Sequence, residues 1–279
     1  MTHVEEISVG RLVREWRERR CRSQLDVAVA ADLSARHLSF VETGRSRPSP
    51  DVIERLCEEL EVPLRERNRL HLAAGFAPPH PERPLADIGE AGAAVEALLA
   101  GHEPYPAMVV NVRWELLAGN RPAWAAFGDV APSLLEPPVN VLRSTLHPDG
   151  LARQLGNYSQ WRSHVLRRVR RQLDRTAAPG LAELLAELAA YPVPADNDVV
   201  LGEPGDPVIP MLLRTAHGPM RLLYTLTVFG AARDVTTDEI AVESFFPADA
   251  VSRKLLHELA ADAAADTAAD AASPGSTSR

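Results

Sequence analysis

The stretch Ser34-Ala35-Arg36-His37-Leu38-Ser39-Phe40-Val41-Glu42-Thr43-Gly44 spells out one short helix with both its start and its stop. Ser34 suits an N-cap, because its hydroxyl accepts a backbone N–H that the first turn leaves unpaired. Gly44 suits the other end, since glycine takes the left-handed conformation at little steric cost. Only Leu38 and Val41 repeat at helical spacing, so a narrow stripe faces inward and Arg36, Ser39 and Phe40 point elsewhere. Upstream, Ser23 caps a second short helix over Gln24–Ala30, and Ala31-Asp32-Leu33 leaves room only for a tight corner. Two short helices joined this way, the second presenting polar side chains, define a helix-turn-helix whose second helix enters the major groove of DNA.

The net charge of −8 argues against a DNA binder until it is divided along the chain. Residues 1–85 carry 14 arginines and 14 acids, so the whole deficit lies downstream. Within residues 9–47, nine arginines face five acids, and positive charge is concentrated on the helix-turn-helix. Helix one is expected over Val9–Arg20, with Leu12, Val13 and Trp16 as its apolar stripe. Ser49 and Pro50 open a fourth helix carrying Ile53, Leu56 and Leu60, because proline fits the first helical position. A fifth runs from Leu64 to Ala74 and stops at Gly75. Residues 1–76 therefore read as a complete all-α domain.

Here the sequence resembles a family. Ser23-Gln24, then Leu33-Ser34, Leu38-Ser39, Glu42, Gly44-Arg45 and Pro48-Ser49, are spaced as in the phage-repressor-type (Xre-like) helix-turn-helix. The departure is Asp32, at the corner where that family usually has glycine. The resemblance implies that Gln24 and Ser34 approach phosphates, that Ala35, Arg36, Ser39 and Phe40 face base edges, and that Arg45 and Arg47 clamp the backbone. Arg36 has the fork for a bidentate contact to guanine. Glu42, between the helix and Arg45, is expected to be a structural partner.

A chain of 279 residues has room for about two domains. Four prolines within Ala77–Pro84 mark residues 77–88 as an extended linker. Beyond a helix over Gly89–Gly101, the pattern changes to period two. Pro106–Val112 and Glu115–Asn120 read as a hairpin, followed by helices over Arg121–Phe127, Leu151–Thr176 and Leu181–Ala190. Strands return at Met211–Thr215, Met220–Phe229 and Glu239–Phe246, before a helix over Ala250–Ala260. The fold class is thus α+β: an N-terminal five-helix repressor-type domain, then over residues 89–260 a PAS-like antiparallel sheet with helices on one face. Residues 261–279, with no large apolar side chain, are expected to be disordered.

The second half also resembles a known domain. Asn120–Phe127, Asn140–Arg143, Asn157–Trp161, Tyr191-Pro192, Asp234–Glu239 and Glu243–Asp249, in this order, look like the ligand-binding domain of MmyB-like regulators, actinobacterial transcription factors. That resemblance implies a pocket able to hold a fatty acyl chain. On the long helix, Tyr158, Trp161, Val165, Leu166, Val169 and Leu173 share one arc, with Arg162 inside it. Of these, Tyr158, Trp161, Arg162, Val165 and Val169 form the candidate ligand site. Arg162 either anchors an acidic head group or satisfies a structural partner, because an unpaired buried charge is costly. His164 sits at the margin of the arc, and Trp114, Trp124 and Phe127 are expected in the core. The acids Asp234, Asp238, Glu239 and Glu243 read as caps at a helix or strand entry more than as a cation site.

Nothing in the chain suggests catalysis: no nucleophile triad spacing, phosphate-binding glycine loop or histidine-rich metal motif occurs. Cys21 and Cys57 have no metal-ligand spacing, no apolar run reaches the roughly 20 residues of a membrane span, and the N-terminus lacks signal-peptide character. The expectation is a cytoplasmic, dimeric, ligand-responsive regulator that binds double-stranded operator DNA, without metal or cofactor beyond a bound fatty acid or similar molecule. The competing readings are an antitoxin-like protein whose second half binds a protein partner, and an enzyme carrying its own repressor domain.

Overall fold

A computed structural model describes residues 8–194, 199–201 and 208–272. The chain forms two compact units. The first contains the chain up to Ile88 together with Phe229–Glu239, and the second contains Gly89–Val228 and the chain from Ile240 onward.

The first unit is built from α1 (Val9–Arg19), α2 (Gln24–Ala30), α3 (Ala35–Glu42), α4 (Pro50–Glu59) and α5 (Leu64–Ala73). Ser8, Ser23, Ser34 and Ser49 cap the first four, each accepting a backbone N–H of the first turn. The helices end alike, in a left-handed residue that turns the chain back so that its neighbour's N–H reaches a carbonyl of the last turn. For α2 the pair is Leu33 N–H to Ala28 O at 2.7 Å and Asp32 N–H to Val29 O at 3.3 Å. Glycine fills this role at Gly44 and Gly75, whereas Cys21, Asp32 and Glu61 adopt it with φ of 52°, 53° and 47°. Asp32 therefore makes the corner of the helix-turn-helix in a conformation that side chains other than asparagine and aspartate rarely take. The core joins Val13 and Trp16 to Val27, Leu38, Val41, Ile53, Leu56 and Leu70.

Pro63 gives α5 no side-chain cap of its own. The carboxylate of Asp238 takes its place, accepting the Leu64 N–H at 3.1 Å from α11 (Val235–Glu239). Glu239 grips Arg65 with both oxygens, at 2.6 and 2.9 Å, and Asp234 accepts from Arg83 at 2.9 Å. The proline-rich stretch is held as well: His80 exchanges two hydrogen bonds with Asn68, and the Pro81 carbonyl accepts the Val235 N–H. Asp234, Asp238 and Glu239 thus each serve a separate cap or ion pair. Among the described residues no acidic, histidine or cysteine cluster is arranged to hold a metal.

The second unit contains α6 (Glu90–Gly101), β1 (Ala107–Val110), β2 (Leu116–Gly119), α7 (Arg121–Ala125), α8 (Val141–Leu146), α9 (Tyr158–Thr176), α10 (Leu181–Ala190), β3 (Met211–Thr215), β4 (Gly218–Thr227), β5 (Ala241–Pro247) and α12 (Ala250–Ala272). Its five strands form one antiparallel sheet in the order β2-β1-β5-β4-β3. The expected α+β architecture is present.

Three expectations are corrected. The helix expected over Leu151–Thr176 is broken, because Gly156 N–H bonds Leu212 O and Arg214 N–H bonds Gln154 O, drawing residues 154–156 into pairing with β3. A Cβ on Gly156 would lie 2.6 Å from Cδ2 of the Leu212 side chain, which would have to shift to admit it. The strand expected from Glu239 begins instead at Ala241, after α11. Residues 261–272, expected to be disordered, continue α12, in keeping with the high helix propensity of alanine. The rest of the expected tail, 273–279, lies outside the described residues.

Gly10 shows how tightly α1 and α3 pack, since a Cβ there would lie 2.2 Å from the Val41 carbonyl oxygen. Alanine is the better helix former by about 0.8–1.0 kcal/mol. Gly10→Ala should nonetheless lower stability by about 1–3 kcal/mol through overpacking. A urea melt showing equal or greater stability would contradict this packing.

Candidate DNA-binding and ligand-binding sites

Helix α3 is positioned from both ends. Ser34 Oγ accepts the His37 N–H at 3.1 Å, and at the far end Glu42 is drawn inside the unit. Arg17 of α1 meets both Glu42 oxygens, at 2.7 and 3.0 Å, and Gln24 of α2 donates to Glu42 at 2.7 Å. The Glu42 side chain is only 2% exposed, so one carboxylate ties the first three helices together as an internal partner. Gln24, expected at phosphates, has its amide N–H committed to this triad.

Ser34, Ala35, Arg36, Arg45 and Arg47 are exposed, and Ser39 and Phe40 are half-buried. Arg36 and Arg45 stack over the Phe40 ring at 5.2 and 6.0 Å, and Arg47 lies over Phe76 at 4.8 Å. Among the described residues none of these three guanidiniums is paired with a carboxylate. Elsewhere in this region Arg11, Arg14, Arg17 and Arg22 meet acids, and Arg20 donates to the Leu60 and Glu61 carbonyls. Positive charge without a counter-ion is therefore gathered on α3 and the loop after it.

In the second unit, Trp161, Val165 and Val169 of α9 are buried as the periodicity implies, and so is Tyr158. Trp161 and Val165 line an inner cavity of about 70 Å³, with Met108, Phe127, Leu142 and Leu213 on its other walls. Tyr158 and Val169 belong to the packed core, the Tyr158 hydroxyl donating to the Leu146 carbonyl. Arg162 lines neither this cavity nor the one beside it. Its guanidinium donates to the Leu188 and Ala189 carbonyls, neutralising the free C-terminal end of α10. Of the three aromatics expected in the core, Trp114 and Phe127 are buried, but Trp124 is half exposed and donates to Gly119 O at 3.1 Å.

The polar residues on the cavity wall come from segments far apart in sequence. Arg168 donates to the buried carboxylate of Glu243 on β5 at 2.8 Å, and its guanidinium lies over Trp114 at 4.3 Å and Tyr224 at 5.0 Å. His164 is hydrogen-bonded to the Tyr224 hydroxyl and stacks on Trp161 at 5.5 Å. Burial, and then the Arg168 charge, push the His164 pKa below its ordinary value, so the imidazole is neutral at neutral pH. The indole N–H groups of Trp161 and Trp114 are buried without a partner among the described residues. Arg168 could have been found in the sequence, for it follows Trp161 by seven residues and so returns to the same helix face. Glu243 and Tyr224 could not, because only the sheet register brings them beside it.

A second cavity, of about 540 Å³, is walled by Arg121, Met220, His217 and Leu256, and shares Pro106, Ala126, Leu213 and Leu222 with the first. The two are adjacent chambers.

Comparison with known families agrees with this division. A helix-turn-helix domain model matches residues 8–70. The model of the MmyB-like transcription regulator ligand binding domain matches residues 91–259, more than half of the chain, and the chain belongs to that family. A search of curated proteins returns no match. The pairing defines a ligand-responsive, DNA-binding transcription regulator. Among the described residues no helix is long and apolar enough to cross a membrane.

Removing Glu42 would strand Arg17 in a largely buried place, where breaking an ion pair costs about 3–5 kcal/mol. Glu42→Ala should therefore destabilise the first unit by about that amount, read by circular dichroism on denaturant titration. A loss below about 1 kcal/mol, the range of exposed pairs, would show that the triad is peripheral.

Proposed function

We propose that this regulator binds a double-stranded operator as a homodimer, with Arg36 reading a base edge and Arg45 and Arg47 holding phosphates. The observation that carries the reading is the set of three exposed guanidiniums without carboxylate partners at α3 and the following loop. Stacking on Phe40 and Phe76 restricts them, which reduces the side-chain entropy lost on binding. Two copies supply two recognition helices, and a two-fold arrangement matches half-sites one helical turn apart. Ser34, Ala35 and Ser39 provide small side chains that let α3 approach the groove. No metal or catalytic group has a place in this reading.

The small-molecule ligand is proposed to be an apolar, acyl-like compound in the two chambers of the second unit. The inner chamber alone is small, but the outer one falls within the ~300–1,000 Å³ of ligand pockets, and its walls include Met220, Leu222 and Leu256. A ligand changes operator affinity only by favouring one conformation over another. Such a difference has covalent routes, since the chain passes between the units at residues 88–89, 228–229 and 239–240.

Selection of operator sequences followed by binding assays tests the DNA reading. Arg36→Ala should cost about 1–3 kcal/mol on the selected site and relax preference at one position. Arg45→Ala should weaken all sequences alike and flatten the salt dependence by about one counterion. Unchanged affinity and preference in Arg36→Ala would place the docking surface elsewhere.

A further inference from the structure

The polar edge of the inner chamber has a charge balance that bears on what the ligand's head group can be. This inference rests on the second unit holding an acyl-like ligand. Arg168 is the cationic group on that wall, and the buried Glu243 already pairs with it at 2.8 Å. The other titratable residues of the wall are His164 of α9 and Tyr224 of β4, bonded to each other. Arg167 and Arg171, the nearest further charges on α9, are exposed and screened by solvent. The wall is thus neutral as it stands, in a chamber that is otherwise apolar. A carboxylate entering beside Arg168 would share one guanidinium with Glu243 and leave one negative charge uncompensated. Burying such a charge is strongly unfavourable.

A different donor has no partner. The Trp161 indole, on the same wall, carries a buried N–H that no described residue accepts. Most buried donors in folded proteins are satisfied, and an orphan in a cavity wall suits an acceptor brought by a ligand. An uncharged carbonyl oxygen meets that need without disturbing the charge balance. We propose that the ligand's polar end at this wall is a neutral acceptor, an ester, amide or ketone, and that Glu243 is the residue that excludes the free acid.

The test uses three probes of one chain length: dodecanoate, dodecanamide and methyl dodecanoate, titrated by calorimetry into the full-length protein at pH 8, where the acid is ionised. Dodecanamide keeps a strongly polar head group, and because any neutral head is easier to bury than a carboxylate, the Glu243→Gln comparison separates the charge of this wall from that general cost. The amide and the ester are expected to bind at least about tenfold more tightly than dodecanoate, equivalent to about 1.4 kcal/mol. Glu243→Gln keeps the volume and removes the negative charge, so dodecanoate should gain at least about tenfold relative to the amide. Dodecanoate binding to the wild type as tightly as the amide would overturn the proposal, as would an amide preference that Glu243→Gln leaves unchanged. Should that variant not fold, the wild-type comparison can still overturn the proposal. Binding of none of the three would overturn the acyl-ligand reading itself, an outcome distinct from equal binding of all three.

Discussion

The proposed DNA-binding surface depends on a carboxylate that never reaches it. Glu42 lies at the inner end of α3, where Arg17 and Gln24 converge on it from α1 and α2. A helix of eight residues has little stability alone, because nucleation costs more than so few hydrogen bonds return. What fixes α3 is the combination of its Ser34 cap, the apolar pair Leu38 and Val41, and this charged tie. The Gly10 contact on the Val41 carbonyl completes the arrangement by bringing α1 within backbone distance. Arg36 and Arg45 are therefore presented from a fixed support.

The second unit places polar groups in its interior sparingly and pairs nearly all of them. Arg162 closes α10, Arg168 meets Glu243, and His164 meets Tyr224. Three polar side chains within seven residues of α9 are thus directed to a helix end, a β5 carboxylate and a β4 hydroxyl. Low local dielectric makes each pairing stronger and each omission costly. The indole N–H groups of Trp114 and Trp161 are exceptions, both close to Arg168 and the inner chamber.

Much of the first unit was legible because its signals are local. Ser23, Ser34 and Ser49 cap, Gly44 and Gly75 stop, and the apolar stripes follow the helical period; none needs knowledge of distant residues. Glu42 was legible as a structural partner, but its partners Arg17 and Gln24 were not. In the second unit the signals that failed are those set by tertiary pairing. The break before α9 depends on Gly156 meeting Leu212, some 55 residues away, and no local pattern announces it. Arg162 and Arg168 both lie near the apolar face, and periodicity cannot distinguish a helix-end partner from a cavity wall. That distinction came only from the carbonyls of α10 and the register of β5.

The segment Phe229–Glu239 has a further consequence for how this architecture can be divided. It lies between β4 and β5 in sequence, yet it supplies the cap of α5, the partner of Arg65 and the partner of Arg83. The fragment ending at Ile88 is therefore an incomplete helix-turn-helix domain, with one uncapped helix, Arg83 without its acid and Arg65 left with Glu82 as its carboxylate partner. The 91–259 family match likewise includes eleven residues whose packing is in the first unit. Recombination that exchanged ligand-binding halves between such regulators would carry that segment along. Compatibility would then be decided at Leu64, Arg65 and Arg83, as lock positions for an incoming α11, and a graft with mismatched acids would arrive with its DNA-binding half already loosened.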